Sequence, residues 1–287
     1  MTFRDDADIG SGRTSKRGKM ALGGGLGLVA VVLVAQFLGV DVTGLLGGAS
    51  PAADQALERC ETGADANADI ECRMVGASAS LEAYWEGAAD EIGVRYQAPA
   101  GGLVLFSDAA QTGCGLASSS TGPFYCPLDE AIYIDVTFFG ALQDRFGSRG
   151  GPLAEMYVVA HEWGHHMQNL TGVLEETRDG ETGPTSNTVR VELQADCYAG
   201  AWASAASTVT DDSGVAFLEP LTDAQIRDAL SAAAAVGDDR IQEATGGQVD
   251  PHSFTHGTSE QRQNWFLAGF NSGADACDTF SVPGPDL

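Results

Sequence analysis

From Met20 to Val40 the chain runs for 21 residues without a charged side chain. As a helix this run would be about 31 Å long, close to the hydrocarbon thickness of a bilayer. It divides the chain into a short amino-terminal piece and a long remainder. Arg4, Arg13, Lys16, Arg17 and Lys19 stand just before it, and a basic cluster there predicts an N-in, C-out orientation. A cleaved signal peptide is the competing reading, with Leu26–Leu38 as its apolar stretch and Gly47-Gly48-Ala49 as a weak cleavage site. The length of the run favours an uncleaved anchor. The expected organisation is therefore a disordered cytoplasmic tail at 1–19, a transmembrane anchor at 20–40, a Gly/Ala/Ser/Pro linker at 41–55, and one domain at 56–287. That places the chain in the cell membrane as a single-pass protein, with the domain extracellular or periplasmic.

Charge and cysteine usage fit an exported domain. The net charge is −25, and beyond residue 40 the chain has 10 basic against 37 acidic residues. No basic stripe is available for nucleic acid or for an anionic membrane surface. All six cysteines, Cys60, Cys72, Cys114, Cys126, Cys197 and Cys277, follow the apolar run, and an even count in that position suggests disulfides. Six cysteines allow 15 pairings. The short loops favour Cys60–Cys72 and Cys114–Cys126, which leaves Cys197–Cys277. The absence of a C-x-x-C pair argues against a zinc knuckle or a thioredoxin-like redox site.

Periodicity predicts an α+β fold, predominantly helical, with one small sheet. An amphipathic helix is expected over 78–92, strands at 101–106 and 131–136, and a helix over 137–147. Pro152 suits the first turn of a long helix and Gly172 its stop. Residues 173–186 form an acidic Gly/Pro loop. A second long helix begins near Asn187, read as its N-cap, and further helices follow at 222–235, about 238–245 and 258–271. Hydrophobic residues make up 44% of the chain, enough for a real core.

The helix starting at Pro152 carries His161, Glu162 and His165 in the order H-E-x-x-H. On a helix the two histidines are one turn apart and about 40° apart around the axis, so both imidazoles can reach one ion. Glu162 lies on the flank of that face, placed to act on a water as a general base. A catalytic zinc ion commonly takes three protein ligands. A histidine six residues after the second is excluded, because Thr171 stands there. A carboxylate on the next helix is the other route, and Glu192 fits it as third ligand to a single Zn²⁺. Small residues at Ala160, Gly164, Ala195 and Ala199 permit close approach of the two helices. Asp196, one turn beyond Glu192, is placed to accept the free N–H of His161. His256, in a loop before a helix, is the candidate donor to an oxyanion, ahead of His252 and His166. Arg262 could orient His256 or hold a carboxylate. Tyr157 and Trp163 read as packing residues. G-x-S-x-G, P-loop and dinucleotide fingerprints are absent.

The segments "FYCPLDEAIYIDVTFFGALQDRFG", "AEMYVVAHEWGHHMQNLTG", "VRVELQADCYAGAWA", "FTHGTSEQRQNWFLAGF" and "ACDTF" together resemble the bacterial membrane-anchored neutral zinc metallopeptidases, over roughly residues 20–280. The resemblance implies a zincin-like domain and zinc-dependent hydrolysis of a protein or peptide substrate, with Glu162 as general base. Glu192 and Asp196 are similar to the E-x-x-x-D element of gluzincins. The spacing from His256 to Arg262 is similar to that of membrane-associated zinc proteases, where the histidine is read as stabilising the transition state. Trp163 is bulky for a position between two ligands, which could affect the shape of the cleft. Zincin folds commonly add substrate as a strand, and residues 131–136 are the expected sheet edge. The alternative is an inactive, zinc-bound, disulfide-stapled surface module that binds partners.

Overall fold

The computed structural model describes residues 2–10, 13–17 and 57–287. The expected anchor at 20–40 and linker at 41–55 lie outside them. Among the described residues no helix is long and apolar enough to cross a membrane. In chain order the elements are strand β1 (Thr14–Lys16), helices α1 (Gly63–Ala68) and α2 (Ile70–Ala88), and strands β2 (Gly102–Phe106), β3 (Ala109–Thr112), β4 (Gly115–Ser118), β5 (Phe124–Cys126) and β6 (Ala131–Asp135). Helices α3 (Phe138–Asp144), α4 (Pro152–Thr171), α5 (Val173–Glu176), α6 (Asn187–Ala205), α7 (Asp223–Ala235), α8 (Asp238–Ala244) and α9 (Ser259–Ser272) follow. The fold is mixed α/β, about half helical, with two small sheets.

The helix ends follow local chemistry. Pro152 opens α4, and Gly172 closes it in the left-handed conformation that a side chain disfavours. Thr222 with Gln225, and Thr258 with Gln261, form capping boxes at α7 and α9. The cap of α6 is Ser186, whose hydroxyl accepts the N–H of Val189, one residue before the expected Asn187. Helix α2 starts at Ile70, well before residue 78. Its first turns are rich in small residues, and Asp69 caps them by accepting the N–H groups of Glu71 and Cys72.

The main sheet has the order β1-β2-β6-β5. β1, β2 and β6 are parallel, and β5 runs antiparallel to β6. This corrects the expected edge: β6 is an inner strand, and the edge beside the candidate site is β5. The alternation in 131–136 put one face in the core, but both faces are covered. Ile132 and Ile134 join the main core, while Tyr133 packs with Val104, Phe106 and Cys126 on the other side.

The core lies where α2, α4, α6, α7 and α9 meet. Trp85, Trp163 and Trp202 are fully buried in it. Trp163 faces this core and does not line the cleft, so its bulk does not shape the site. Gly164 lets α4 lie directly against α6, since a Cβ there would stand 2.9 Å from Ala195 Cα. Gly200 and Gly269 do the same for α6 and α9, where a Cβ on either would come within 1.9 Å of a backbone oxygen of the other helix. Disulfides join Cys60 to Cys72, Cys114 to Cys126, and Cys197 to Cys277. The last ties α6 to the carboxyl-terminal segment.

The amino-terminal segment is not a disordered tail over its described residues. Phe3 and Ile9 are each 1% exposed and belong to the main core. Burial of these two side chains contributes roughly 3–6 kcal/mol together. Charge and low hydrophobicity made the segment read as solvated, whereas its few apolar residues enter a groove made by distant parts of the chain.

Candidate metal centre and cleft

Helix α4 presents His161, Glu162 and His165, and α6 presents Glu192 and Asp196. One ligand atom from each of His161, His165 and Glu192 lies within 4.8 Å of the others, a group that could hold a metal ion. His161 Nε2 is 3.1 Å from Glu192 Oε2, and His165 Nε2 is 3.6 Å from Glu192 Oε1.

The far side of each ring is fixed. His161 Nδ1 lies 2.9 Å from Asp196 Oδ1. A carboxylate accepts only, so Nδ1 carries a proton and Nε2 is the nitrogen turned toward Glu192 and a ligand position. His165 Nδ1 lies 2.8 Å from Gln168 Oε1. The amide nitrogen of Gln168 donates to Val191 O and to Gln194 Oε1, at 2.7 and 3.0 Å. Gln168 therefore offers its oxygen to His165, and the same tautomer follows.

Asp196 is fully buried and strongly held. Arg262 Nε and Nη2 donate to its two oxygens at 2.7 and 2.9 Å, and Tyr157 Oη donates to Oδ1. Arg262 also donates to the carbonyl of Val236, at 3.1 Å. Burial would raise the Asp196 pKa, but Arg262 and His161 outweigh it and hold the group below the usual carboxylate range. Glu192 behaves alike: burial pushes it up, while His165 and His161 carry it well below its ordinary value. For His161 burial acts downward, yet Asp196 and Glu192 raise it to about 10. An imidazole between two carboxylates needs a cation on its second nitrogen, either a proton or a metal ion.

Glu162 is 7% exposed and lines the cleft with the three ligand candidates. No described residue hydrogen-bonds its carboxylate. Its carboxylate oxygens open onto the cleft, where water or a bound group can meet them.

The cleft has a volume of about 840 Å³. One wall is the loop before β5 with Phe124 and Tyr125. Phe138, Phe146, Leu174 and Ile241 add apolar surface. His256 stands in the same cleft, half-exposed. Its support comes from Asp238, not from Arg262. Asp238 Oδ2 accepts the backbone N–H groups of Thr255, His256 and Gly257 at 2.7, 2.6 and 2.9 Å. Its other oxygen lies 3.3 Å from His256 Nδ1. Burial lowers the His256 pKa, but Asp238 and the Glu192 charge raise it above its ordinary value overall. Arg262 instead holds Asp196, and so supports His161.

His166 lies outside the site. It is fully buried, donates from Nε2 to Gln97 O at 2.7 Å, and accepts at Nδ1 from Tyr125 Oη at 3.0 Å. It ties edge strand β5 to α4. His252 is exposed and does not line the cleft.

Gln168 and Asp238 are supports that the sequence did not single out, and Tyr157, expected only to pack, is a third through its bond to Asp196. Gln168 is three residues after His165, and Tyr157 is four before His161. That helical spacing is the signal that could have found both. Asp238 carries no comparable signal, since its partners are 17 to 19 residues away.

Residues 3–280 match the family described as "Putative neutral zinc metallopeptidase". An uncharacterized protein of Mycobacterium tuberculosis is 50% identical over 258 residues, covering 86% of this chain and 85% of its own. The Escherichia coli protein YpfJ, also uncharacterized, is 41% identical over 263 residues, covering 90% of this chain and 86% of its own. No solved structure matches the chain.

Proposed function

Because the chain belongs to the neutral zinc metallopeptidase family, we propose that it is a zinc-dependent endopeptidase with a zincin-like arrangement, acting outside the cytoplasm. The observation that carries this reading is Glu162, a carboxylate that opens on the cleft with no hydrogen-bond partner among the described residues, beside His161, His165 and Glu192. A module that only binds partners has no use for such a group. The three disulfides support an oxidising compartment.

The donor set fits zinc. Two imidazoles turn their Nε2 atoms toward one carboxylate held in its charged form, and together the three side chains make three protein ligands. When bound there, zinc supplies Lewis acidity toward a carbonyl and brings the pKa of a water to about 7. Glu162 takes the proton of the attacking water and returns it to the leaving amine. His256, held by Asp238, donates to the developing oxyanion. Asp196 and Gln168 keep the two imidazoles in the tautomer that leaves Nε2 free. The substrate lies extended along the open edge of β5, where main-chain hydrogen bonds give sequence-tolerant grip. The aromatic and aliphatic wall beside it favours apolar side chains.

The test uses the full-length chain in detergent, assayed on an unstructured protein with and without chelator, next to Glu162→Gln. The parent is expected to cleave in a chelator-sensitive way. The variant should keep one zinc ion per chain and lose about 10²–10⁴ in rate. A parent that binds zinc yet cleaves nothing the variant spares would leave the binding-module reading in its place.

A further inference from the structure

We propose that residues 2–17 lie in the same compartment as the disulfide-bonded domain, so that the apolar run Met20–Val40 has both flanks on one side of any membrane. The proposal is independent of the peptidase reading. It replaces the N-in, single-pass topology that the basic cluster predicted.

The first observation is packing. Phe3, Ala7 and Ile9 are at most 1% exposed. The segment crosses the region of the Cys60–Cys72 disulfide: Ile9 N donates to Glu61 O at 3.1 Å, and Gly63 N donates to Ala7 O at 2.8 Å. Phe3 N donates to the Asn67 side chain at 3.1 Å, and Arg4 N to Phe217 O at 3.0 Å. The segment then becomes β1, the outer strand of the main sheet, in parallel register with Leu103–Leu105. Two glycines have no room for a side chain because its backbone is there. A Cβ on Gly63 would fall 1.9 Å from Arg4 O, and one on Gly102 would fall 1.8 Å from Arg13 O.

The second observation is charge. A basic cluster before an apolar run biases the amino terminus toward the cytoplasm, so where its charges go in the folded chain bears on that reading. Here Lys16 pairs with Glu71 at 2.5 Å and Arg13 with Glu82 at 3.3 Å, both on α2. Arg17 donates to the carbonyl of Gln111 and lies over the Tyr133 ring, 5.4 Å from its centroid. These cations are matched to the acidic domain. A chain that crossed a bilayer once would hold these partners apart by about 30 Å of hydrocarbon. Single-pass spanning and the observed packing therefore exclude each other.

The six native cysteines are paired, so one added thiol reports alone. Asp6 and Glu243 are both exposed. Full-length Asp6→Cys and Glu243→Cys are expressed separately and treated with a membrane-impermeant maleimide, in intact cells and after the cells are opened. The expected result is concordance, with both thiols labelled to the same extent in each condition. Labelling of Glu243→Cys in intact cells, with Asp6→Cys reached only after opening, overturns the proposal. If both react only in opened cells, the shared compartment stands and the export assignment made above falls. Docking is read separately by hydrogen exchange on the purified full-length protein. The amides of Arg4 and Ile9 should exchange on the order of 100-fold or more slower than an unstructured chain. Exchange at the unstructured rate in both amides also overturns the proposal.

Discussion

The two histidines of the candidate metal centre sit on one face of one helix, but their sockets are built from different chemistry. Behind His161 is an ionic cluster: Asp196, bridged by two bonds to Arg262 and capped by Tyr157. Behind His165 is a neutral amide relay, from Gln168 to Val191 O and Gln194. Both arrangements fix the same tautomer. Only the first adds charge, and a carboxylate behind an imidazole makes it a more basic ligand. Orientation alone can therefore be supplied by a neutral group. The ionic socket in addition binds α4, α6 and α9 together through a desolvated pair.

The largest effect should come from breaking the ionic socket. Asp196→Ala leaves buried Arg262 without its closest counter-charge, with only Glu192 at 4.0 Å, at a cost of about 3–5 kcal/mol. Chemical denaturation of the metal-free protein reads this, and a loss below about 1 kcal/mol would show that the cluster is not coupled to the fold. Asp196→Asn, which keeps the shape, should weaken zinc about 10–100-fold in a chelator competition.

Gln168→Ala should cost less, about 1–3 kcal/mol for the unmet backbone acceptor and the vacated amide site. Its zinc affinity should fall by about tenfold, the lower end of the range for such supports. Equal losses of affinity for Gln168→Ala and Asp196→Asn would mean that charge adds nothing beyond orientation.

His256 sharpens the comparison further, since it is a carboxylate-held histidine outside the ligand set. Its pKa is raised, so the stability it contributes is full below about pH 6.5 and is lost as pH rises through its higher folded value. Activity that depends on its proton should fall over the same alkaline range. In Asp238→Asn the hydrogen-bonded negative charge is gone, the pKa drops back, and the alkaline limb of the pH–rate profile should move to lower pH. This is the smallest of the three effects. An unmoved limb would remove His256 from the reaction.

Much of the fold could be read locally. The bounds of α4 follow from Pro152 and Gly172, and the starts of α7 and α9 from their capping boxes, because these signals act within one helical turn. Strand β6 was located but taken for an edge, whereas it lies inside the sheet. Alternation reports one buried face and cannot tell which strands cover the other. The first turns of α2 were missed because "IECRMVGASAS" is small and weakly periodic, while its packing partner, Phe3, lies 73 residues from Gly76. The β3–β4 hairpin, short and rich in small residues, gave no comparable signal. Arg262 was found, but one of its two possible partners was chosen only by the close approach of α9 to α6.

By itself the sequence determined which side chains share one helix face as candidate metal ligands and candidate base. The i, i+4 spacing of His161 and His165, with Glu162 between them, is a property of any α-helix. Tertiary structure decided what stands behind those side chains. Asp196, Gln168 and Asp238 are ordinary polar residues until burial removes water and leaves each with a defined set of donors. It also decided the place of the amino terminus. A polar, basic segment is solvated in isolation, and only a groove assembled from residues 61–82, 103–111 and 211–219 makes it part of the core.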